Sequence, residues 1–280
     1  MGLLSRILRR VLIGIILAIT LFPIYWMVIT SVKPRVDFFK LPPDWIPKTL
    51  TSDHYYAVLA SGMGGQLNFL NYFKNSVIVC GIVVILTLIL AIPAGYAFSR
   101  FRFGGRRTLL NLVLVSQMLP IVMLLIPFYI AFRKLGLLNT YASVVFPYLV
   151  FTLPFSMWML KGYFDTIPRA LEEAAMIDGC GRVEAMRRVL LPNITPGLIA
   201  TSIVAFIMAW DEFIIALTFL VSDNMRTLPP GIIMSFVGEF EIRWGDMMAA
   251  SMIITIPVML AFAFLQKHLV RGLTAGAVKG

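Results

Sequence analysis

The sequence predicts an all-α, polytopic membrane protein with six transmembrane helices and a polar helix-turn-helix outside the hydrocarbon. Hydrophobic residues make up 59% of the 280 residues and charged residues 14%, with a mean hydropathy of +0.88. Soluble domains are less apolar, with an apolar share of about one half. Uncharged runs of at least about 20 residues recur along the chain, and that length lets a helix cross a bilayer. One polar stretch, residues 165–192, separates the fourth run from the fifth.

The first three runs cover residues 11–32, 75–99 and 108–132. Arginines precede the first run, as in a signal peptide, but the run is long enough to span and no small-x-small cleavage site follows it. We therefore expect a retained helix. Residues 33–73 form a polar, proline-containing connection in which Asp53 is expected to cap a short helix.

The other three runs cover residues 135–160, 197–221 and 247–266, and Asp211 and Glu212 interrupt the fifth. Prolines at positions 93, 120, 127, 147, 154 and 257 lie within these spans, where they permit bends. Six spans place both termini on one side of the membrane. Short connections rich in Lys and Arg stay cytoplasmic, so the arginines of residues 100–107 predict cytoplasmic termini and a cytoplasmic polar stretch.

The polar stretch, residues 165–192, is named the central hairpin. Pro168 suits the first turn of a helix, and Asp165 or Thr166 can cap its free amides, so a helix is expected over residues 167–178. Gly179 and Gly181 should end it, because glycine adopts a left-handed backbone at little cost. A second short helix should then run to Pro192.

Both helices of the central hairpin are amphipathic. Spacings of three and four place four residues on one side of the first helix: Leu171, Ala174, Ala175 and Asp178. The second helix carries an apolar stripe of Val183, Met186 and Leu190, with Glu184 and Arg188 as an i,i+4 pair outside. These patterns fit a partner-binding surface and a solvated loop equally well.

Reactive and nucleotide-binding patterns are missing from the sequence. Cys80 and Cys180 have no disulfide or metal spacing, His54 and His268 are far apart, and there is no G-x-x-x-x-G-K-[ST] loop. The net charge of +10 comes from residues scattered at the ends of apolar runs, which argues against nucleic acid as a partner. We expect no catalytic residues, metal or cofactor on this chain, so any ATP chemistry belongs to another chain.

Several motifs, in order, resemble those of one family. Glu173-Ala174-Ala175, Asp178-Gly179, Leu191-Pro192 and Pro196 resemble the EAA loop of the membrane subunits of ATP-binding-cassette (ABC) importers. Five further segments resemble the maltose-type second permease subunit of the carbohydrate-importer branch: residues 95–98, 100–103, 117–120, 135–137 and 272–280. The likeness covers nearly the whole chain. Three residues depart from the usual pattern: Cys180 for Ala, Met186 for an aromatic residue and Asp211 for Asn.

The resemblance implies binding-protein-dependent import of a sugar, a di- or oligosaccharide, across the cell inner membrane by alternating access. The implied partners are membrane lipid, a second homologous permease subunit in a heterodimer, two cytoplasmic ATPase subunits that hold ATP and Mg, and an extracytoplasmic sugar-binding protein. The central hairpin would be the coupling loop, with ATPase contacts at Glu173, Ala174, Ala175, Asp178, Gly179, Met186, Leu191 and Pro192. The cytoplasmic tail, residues 271–280, would contact the ATPases through Gly272, Leu273, Thr274, Gly276 and Lys279.

The acidic pair in the fifth span is the candidate translocation site. An acid within the hydrocarbon costs a few kcal/mol and persists only beside a cavity or a partner. Trp210, Asp211 and Glu212 offer a ring face and hydrogen-bond acceptors for a sugar, and Met118 and Pro120 are further pathway candidates. Pairing with a neighbouring helix is an equally open role for the acids. A different class, an ion-coupled secondary transporter using Asp211 or Glu212, also stays open, whereas a membrane enzyme would need a set of catalytic residues that the sequence lacks.

Overall fold

The computed structural model of the chain describes residues 3–60, 68–238 and 241–277, with the side chains of all these except 3–5 and 265–277. The regular structure in these ranges is helical, apart from one isolated antiparallel bridge between Val237 and Ile242. The all-α prediction is confirmed. The α-helices are α1 Leu3–Val32, α2 Asp53–Leu59, α3 Phe69–Arg100, α4 Arg106–Val115, α5 Ile121–Lys134, α6 Tyr141–Thr166, α7 Arg169–Ile177, α8 Arg182–Ala185, α9 Leu191–Asn193, α10 Thr195–Trp210, α11 Ile214–Phe219, α12 Leu228–Phe236 and α13 Trp244–Ala277.

Four of these helices contain stretches long and apolar enough to cross a membrane unbroken. They are Arg6–Val32, Phe69–Arg100, Tyr141–Thr166 and Trp244–Phe264. Two bent pairs also pass the test together: Arg106–Met118 with Ile121–Lys134, bent by 92°, and Arg182–Asn193 with Thr195–Trp210, bent by 81°. Within the described ranges, the expected six spans are therefore reached only when each bent pair counts as one.

The third expected span is not a continuous helix. After α4, a 3₁₀ turn at Ser116–Met118 leads into Leu119, whose ψ of 124° is extended. Pro120 follows with ψ 128° and precedes α5. A proline pushes the residue before it out of the helical region, so the chain breaks here rather than bending gently. The expectation of one helix over residues 108–132 is wrong for this reason.

The other span boundaries shift by several residues. Helix α1 begins before the expected residue 11, and α3 and α13 extend beyond the runs at 75–99 and 247–266. Helix α6 begins at Tyr141 instead of residue 135, because Gly136 (φ 68°) and Asn139 (φ 60°) form a left-handed turn first. Helix α10 ends at Trp210, immediately before the acidic pair. Hydropathy marks where apolar residues begin, and turn residues decide where the helix begins.

The fold divides into two compact units, and Asn71–Pro230 with Pro257–Gly280 form the larger one. Its core includes fully buried Leu160 and Phe164 of α6 and Leu190 of the central hairpin. Helix α10 packs closely on α6, since the Cα of Gly197 faces the ring of Tyr163. The base of the central hairpin is therefore part of the core.

The other unit consists of Met1–Leu70 with Gly231–Ile256, and a buried carboxylate organises it. Asp246 of α13 accepts from His54 Nδ1 at 2.6 Å and pairs with Arg35 at 3.0 Å and Arg243 at 2.5 Å. His54 lies on α2, whose first residue is Asp53. The expected Asp53 cap is wrong, because Asp53 is already the first residue of α2 and the cap position is held by Ser52, which makes no side-chain cap hydrogen bond. Charge pairing thus fixes the connection after α1 to the start of α13.

Candidate coupling hairpin and pathway residues

The central hairpin forms as a helix, a tight turn and a second helical arm. Helix α7 begins after Pro168 and ends at Ile177. Gly179 then takes φ 94°, and the Cys180 amide donates to the Ala175 carbonyl at 3.0 Å. A left-handed glycine after a helix, with its neighbour's amide bonded back into the last turn, is a common helix end. The predicted turn at Gly179 is confirmed.

Two local predictions about the central hairpin are wrong, and a third is displaced by one residue. Neither Asp165 nor Thr166 caps α7, because Asp165 accepts from Ser99 and Thr166 donates to the Tyr163 carbonyl. Gly181 has φ −66° and ψ 161°, which is ordinary extended backbone. Pro192 does not end the second arm, which continues to Asn193. The arm then turns by 81° into α10.

The second arm contains a π-helical turn at Met186–Leu190. A π turn bonds residue i to residue i+5 instead of residue i+4, which alters the face that each side chain occupies. Leu190 at the end of this turn and Ala185 just before it are buried, whereas Val183 is 66% exposed. The expected stripe of Val183, Met186 and Leu190 is therefore wrong at its first member. Glu184 and Arg188 do pair outside, at 2.9 Å.

The residues expected to contact an ATPase lie on two faces. Glu173, Ala174, Asp178, Gly179 and Pro192 are exposed. Ala175 is buried, and Met186 and Leu191 pack against the core. The expectation that Ala175 shares one face with Leu171, Ala174 and Asp178 is wrong, since the latter three are exposed. The inward side chains hold the hairpin in place. The exposed residues Glu173, Ala174, Asp178, Gly179 and Pro192 form its outer surface.

Exposed apolar side chains extend this outer surface around the turn. Ile177, the last residue of α7, is 85% exposed, and Leu171 and Val183 are also exposed. An open cleft beside Val183 is lined by Arg182, Arg187 and Arg188. Apolar groups bordered by charge are typical of a protein-docking surface.

Glu172 is a buried acid of the central hairpin that was not among the residues predicted for the site. It is 6% exposed, unlike its neighbours Leu171 and Glu173. The Tyr96 hydroxyl donates to its Oε1, and Arg100 Nε lies 2.9 Å from its Oε2. The sequence signal that could have predicted its burial is the i,i+3 spacing from Ala175, because residues at that spacing share a helix face.

The acidic pair in the fifth span has two different environments. Asp211 follows α10 as its C-terminal cap residue and is exposed. Glu212 accepts three hydrogen bonds: from the amides of Ile215 and Ala216 at 2.8 and 3.1 Å, and from the Tyr148 hydroxyl at 2.7 Å. A carboxylate that binds the free amides of a helix start is a cap. Glu212 therefore holds α11 to α6.

Trp210 is buried, stacked on Phe206 with ring centroids 5.1 Å apart and edge-on to Phe73 at 5.9 Å. Its indole nitrogen has no hydrogen-bond partner within the described residues. Met118 and Pro120 lie exposed at the bend between α4 and α5. The neighbouring Gln117 donates to the Phe151 carbonyl of α6 at 2.8 Å. The pathway candidates thus occupy the two places where an apolar run is broken.

The predicted tail falls largely outside the described side chains. Helix α13 continues to Ala277, so the backbone of residues 272–277 is helical and the expected helix end at 266 is wrong. Gly272, Leu273, Thr274 and Gly276 lie in this part, where side chains are not described. Lys279 lies outside the described residues. Their contacts remain predictions.

Comparison with known proteins identifies the family. A family model described as "Binding-protein-dependent transport system inner membrane component" matches residues 87–275. The trehalose/maltose transport system permease protein MalG of Thermococcus litoralis is 40% identical over 280 residues, which cover 99% of both chains. The diacetylchitobiose uptake system permease protein DasC of Streptomyces coelicolor is 38% identical over 259 residues, which cover 92% of both.

A solved structure shares the fold. A chain from the crystal structure of a bacterial ABC transporter involved in the import of the acidic polysaccharide alginate superposes with a TM-score of 0.81. The match covers 94% of this chain and 96% of that chain at 23% identity. Together with the multiple apolar helices and the family match, this makes the protein a multi-pass membrane protein. The chain belongs to the family of binding-protein-dependent transport system inner membrane components.

Proposed function

We propose that this chain is one of the two permease subunits of an ATP-driven carbohydrate importer and takes up a di- or oligosaccharide. Two relatives that match it over more than nine-tenths of its length are named for the transport of trehalose, maltose or diacetylchitobiose. Its partners are a homologous but different permease, two cytoplasmic ATPase subunits that bind ATP and Mg, and an extracytoplasmic sugar-binding protein. This chain binds no cofactor and catalyses no reaction.

The observation that carries the proposal is the outer surface of the central hairpin. Ile177 is 85% exposed beside a turn whose backbone is fixed by hydrogen bonds. A large apolar side chain fixed in water is costly unless a partner covers it. Glu173, Ala174 and Asp178 are also exposed on this surface, which we propose docks in a groove of an ATPase subunit.

The mechanism follows from the way this surface is mounted. ATP binding closes the two ATPase subunits and displaces the docked hairpins. The hairpin is packed into the same core as α3, α6 and α10, through buried Ile167 and Leu190. A close-packed core transmits displacement instead of absorbing it. The helices therefore rotate as rigid bodies. This rotation opens the cavity between the two permeases to the outside, where the binding protein delivers sugar.

We propose that the sugar pathway passes the break between α10 and α11. Asp211 is exposed there and can accept hydrogen bonds from sugar hydroxyls. Glu212 is occupied by three donors and serves the fold. Both termini and the central hairpin are cytoplasmic in this proposal, and the tail inserts between the ATPase subunits.

Transport in proteoliposomes tests the proposal. The permease pair and ATPases are co-purified and reconstituted, ATP is enclosed, and the binding protein is added outside with radiolabelled maltose, trehalose or diacetylchitobiose. We expect uptake of at least one of these sugars that requires ATP and binding protein together. A protonophore and a sodium ionophore should leave the rate unchanged. Uptake without ATP that collapses with an ionophore would instead establish an ion-coupled carrier that uses Asp211 or Glu212.

A further inference from the structure

A buried ion pair connects α7 to the end of α3. The side chains of Glu172 and Arg100 are 8% and 7% exposed, and Arg100 Nε lies 2.9 Å from Glu172 Oε2. Its N–H is not aimed at that oxygen, so the contact is Coulombic. The Tyr96 hydroxyl donates to the other carboxylate oxygen. Both oxygens of Glu172 are therefore held by α3, in a helix of which most residues are exposed.

The ends of α3 and α6 are bonded to each other at the same place. Arg100 also donates to the carbonyl of Ile167, just after α6, at 3.0 Å. The Ser99 hydroxyl donates to Asp165 at 2.6 Å. The side chains of Arg100 and Ser99 thus reach α7, the end of α6 and the short link between them. Three segments meet through polar contacts in a small volume.

Stability alone does not account for an ion pair at this position. The surroundings are aromatic, with Tyr96 edge-on to Phe101 at 5.6 Å and to Phe164 at 5.7 Å. Removing two charges from water costs several kcal/mol per ion, and apolar residues of similar volume often stabilise such a site equally well. Two oriented donors at this ion pair, the Tyr96 hydroxyl on Glu172 and the Arg100 guanidinium on the Ile167 carbonyl, instead allow one relative position of the helices, whereas apolar contacts tolerate sliding.

We propose that Glu172 is a positioning residue for energy coupling, and that Tyr96, Arg100 and Glu172 form a joint that makes α7 and the ends of α3 and α6 move as one body. The inference rests on the proposed function, since it states how displacement of the hairpin reaches the spans. A hairpin without this joint still docks on the ATPase through its outer surface. Part of the displacement of the hairpin then only rotates α7 against α3 and does not reach the spans.

The first test measures sugar transported per ATP hydrolysed. Glu172→Gln keeps the size of the side chain and removes the charge that holds Arg100. We expect the reconstituted complex to assemble and to hydrolyse ATP, while the ratio of sugar transported to ATP hydrolysed falls about tenfold, within the usual range of coupling between sites. Tyr96→Phe should lower the ratio less. Adding it to Glu172→Gln should give no further loss, because both act through one joint.

Two further variants separate positioning from charge and from folding. Glu184→Gln changes a carboxylate that is only partly exposed, is paired with Arg188 in the same hairpin and makes no hydrogen bond or ion pair with the described side chains of the joint, so it should keep the wild-type ratio. Glu172→Met combined with Arg100→Met leaves no buried charge unpaired, so it should assemble. It should also show the lowered ratio, because apolar contact does not fix the helix position.

Three outcomes are distinguishable. A wild-type ratio in both Glu172→Gln and the double Met variant would overturn the joint while leaving the ATP-driven permease intact. Failure of both variants to assemble would also overturn it, since Glu172 would then be needed for folding rather than positioning. Absence of ATP-dependent uptake in the wild-type complex would overturn the proposed function itself, and the inference with it.

Discussion

At the scale of single residues, Gly179 sets the direction of the central hairpin. Its φ of 94° is a conformation that residues with a Cβ rarely adopt. A Cβ built on it meets nothing within 4 Å, so the requirement is conformational and not steric. Gly181, two residues on, has equally open space but ordinary extended backbone. The two glycines therefore form a matched pair.

Gly179→Val should misdirect the hairpin without disturbing the spans. We expect a complex that inserts but has strongly reduced uptake and lost sugar stimulation of ATP hydrolysis, because a left-handed backbone costs a β-branched residue at least about 1–2 kcal/mol. Gly181→Val should behave almost as wild type, since valine prefers extended backbone. Sugar-stimulated hydrolysis in proteoliposomes is the measurement. Equal activity in the two variants would show that the angle of the turn does not matter.

Glu212 and Asp211 are adjacent acids for which the structure predicts opposite phenotypes. Glu212→Gln has one acceptor oxygen for three donors, so it should cost about 1 kcal/mol of stability. Its sugar affinity should not change, because the carboxylate serves α11 and Tyr148. Asp211→Asn should leave the melting temperature unchanged and alter the half-saturating sugar concentration for uptake. Thermal unfolding and uptake kinetics measured on both variants check this, and a reversal of the two phenotypes would contradict it.

At the scale of elements, one close approach fixes the fifth span against the fourth. A Cβ on Gly197 of α10 would lie 2.4 Å from the ring of Tyr163 on α6. Real Cβ atoms do not come this close, so the two helices need glycine here. The adjacent Gly162 has open space around it and provides a control.

Gly197→Ala should separate α10 from α6. Overpacking of this kind costs about 1–3 kcal/mol, which should lower the melting temperature of the detergent-solubilised complex. Gly162→Ala should be neutral or slightly stabilising, because alanine favours helix more than glycine does. A Gly197→Ala protein that melts like the wild type would mean that Tyr163 can rotate away at no cost.

At the scale of the whole molecule, the arginine distribution predicts the orientation. Reporters fused after Arg107 or Arg188 should lie in the cytoplasm, and reporters at Trp45 or Gly238 should lie outside, because short basic connections stay cytoplasmic. Alkaline phosphatase and fluorescent-protein fusions measure both sides, and each type serves as the control for the other. An external reporter at Arg188 would contradict the proposed function, since the central hairpin could then not reach an ATPase.

The sequence by itself determined the features that depend on neighbouring residues. Hydropathy identified the apolar runs, glycine chemistry identified the turn at Gly179, and the i,i+4 rule identified the Glu184–Arg188 pair. Motif resemblance identified the family. The apolar runs, the glycine turn and the ion pair each lie within about 30 residues of chain, where local preference is enough, whereas the family resemblance rests on motifs in order along nearly the whole chain.

Only the tertiary structure decided which faces are covered. Leu171 and Ala175 both lie on α7, yet one is exposed and the other is buried. The Tyr96–Glu172 hydrogen bond joins residues 76 positions apart, which no periodicity predicts. Glu212 became a helix cap because the apolar run breaks after Trp210 and α11 begins beside it. Burial and charge pairing arise from packing between distant segments, so they follow from the arrangement of the helices and not from any one of them.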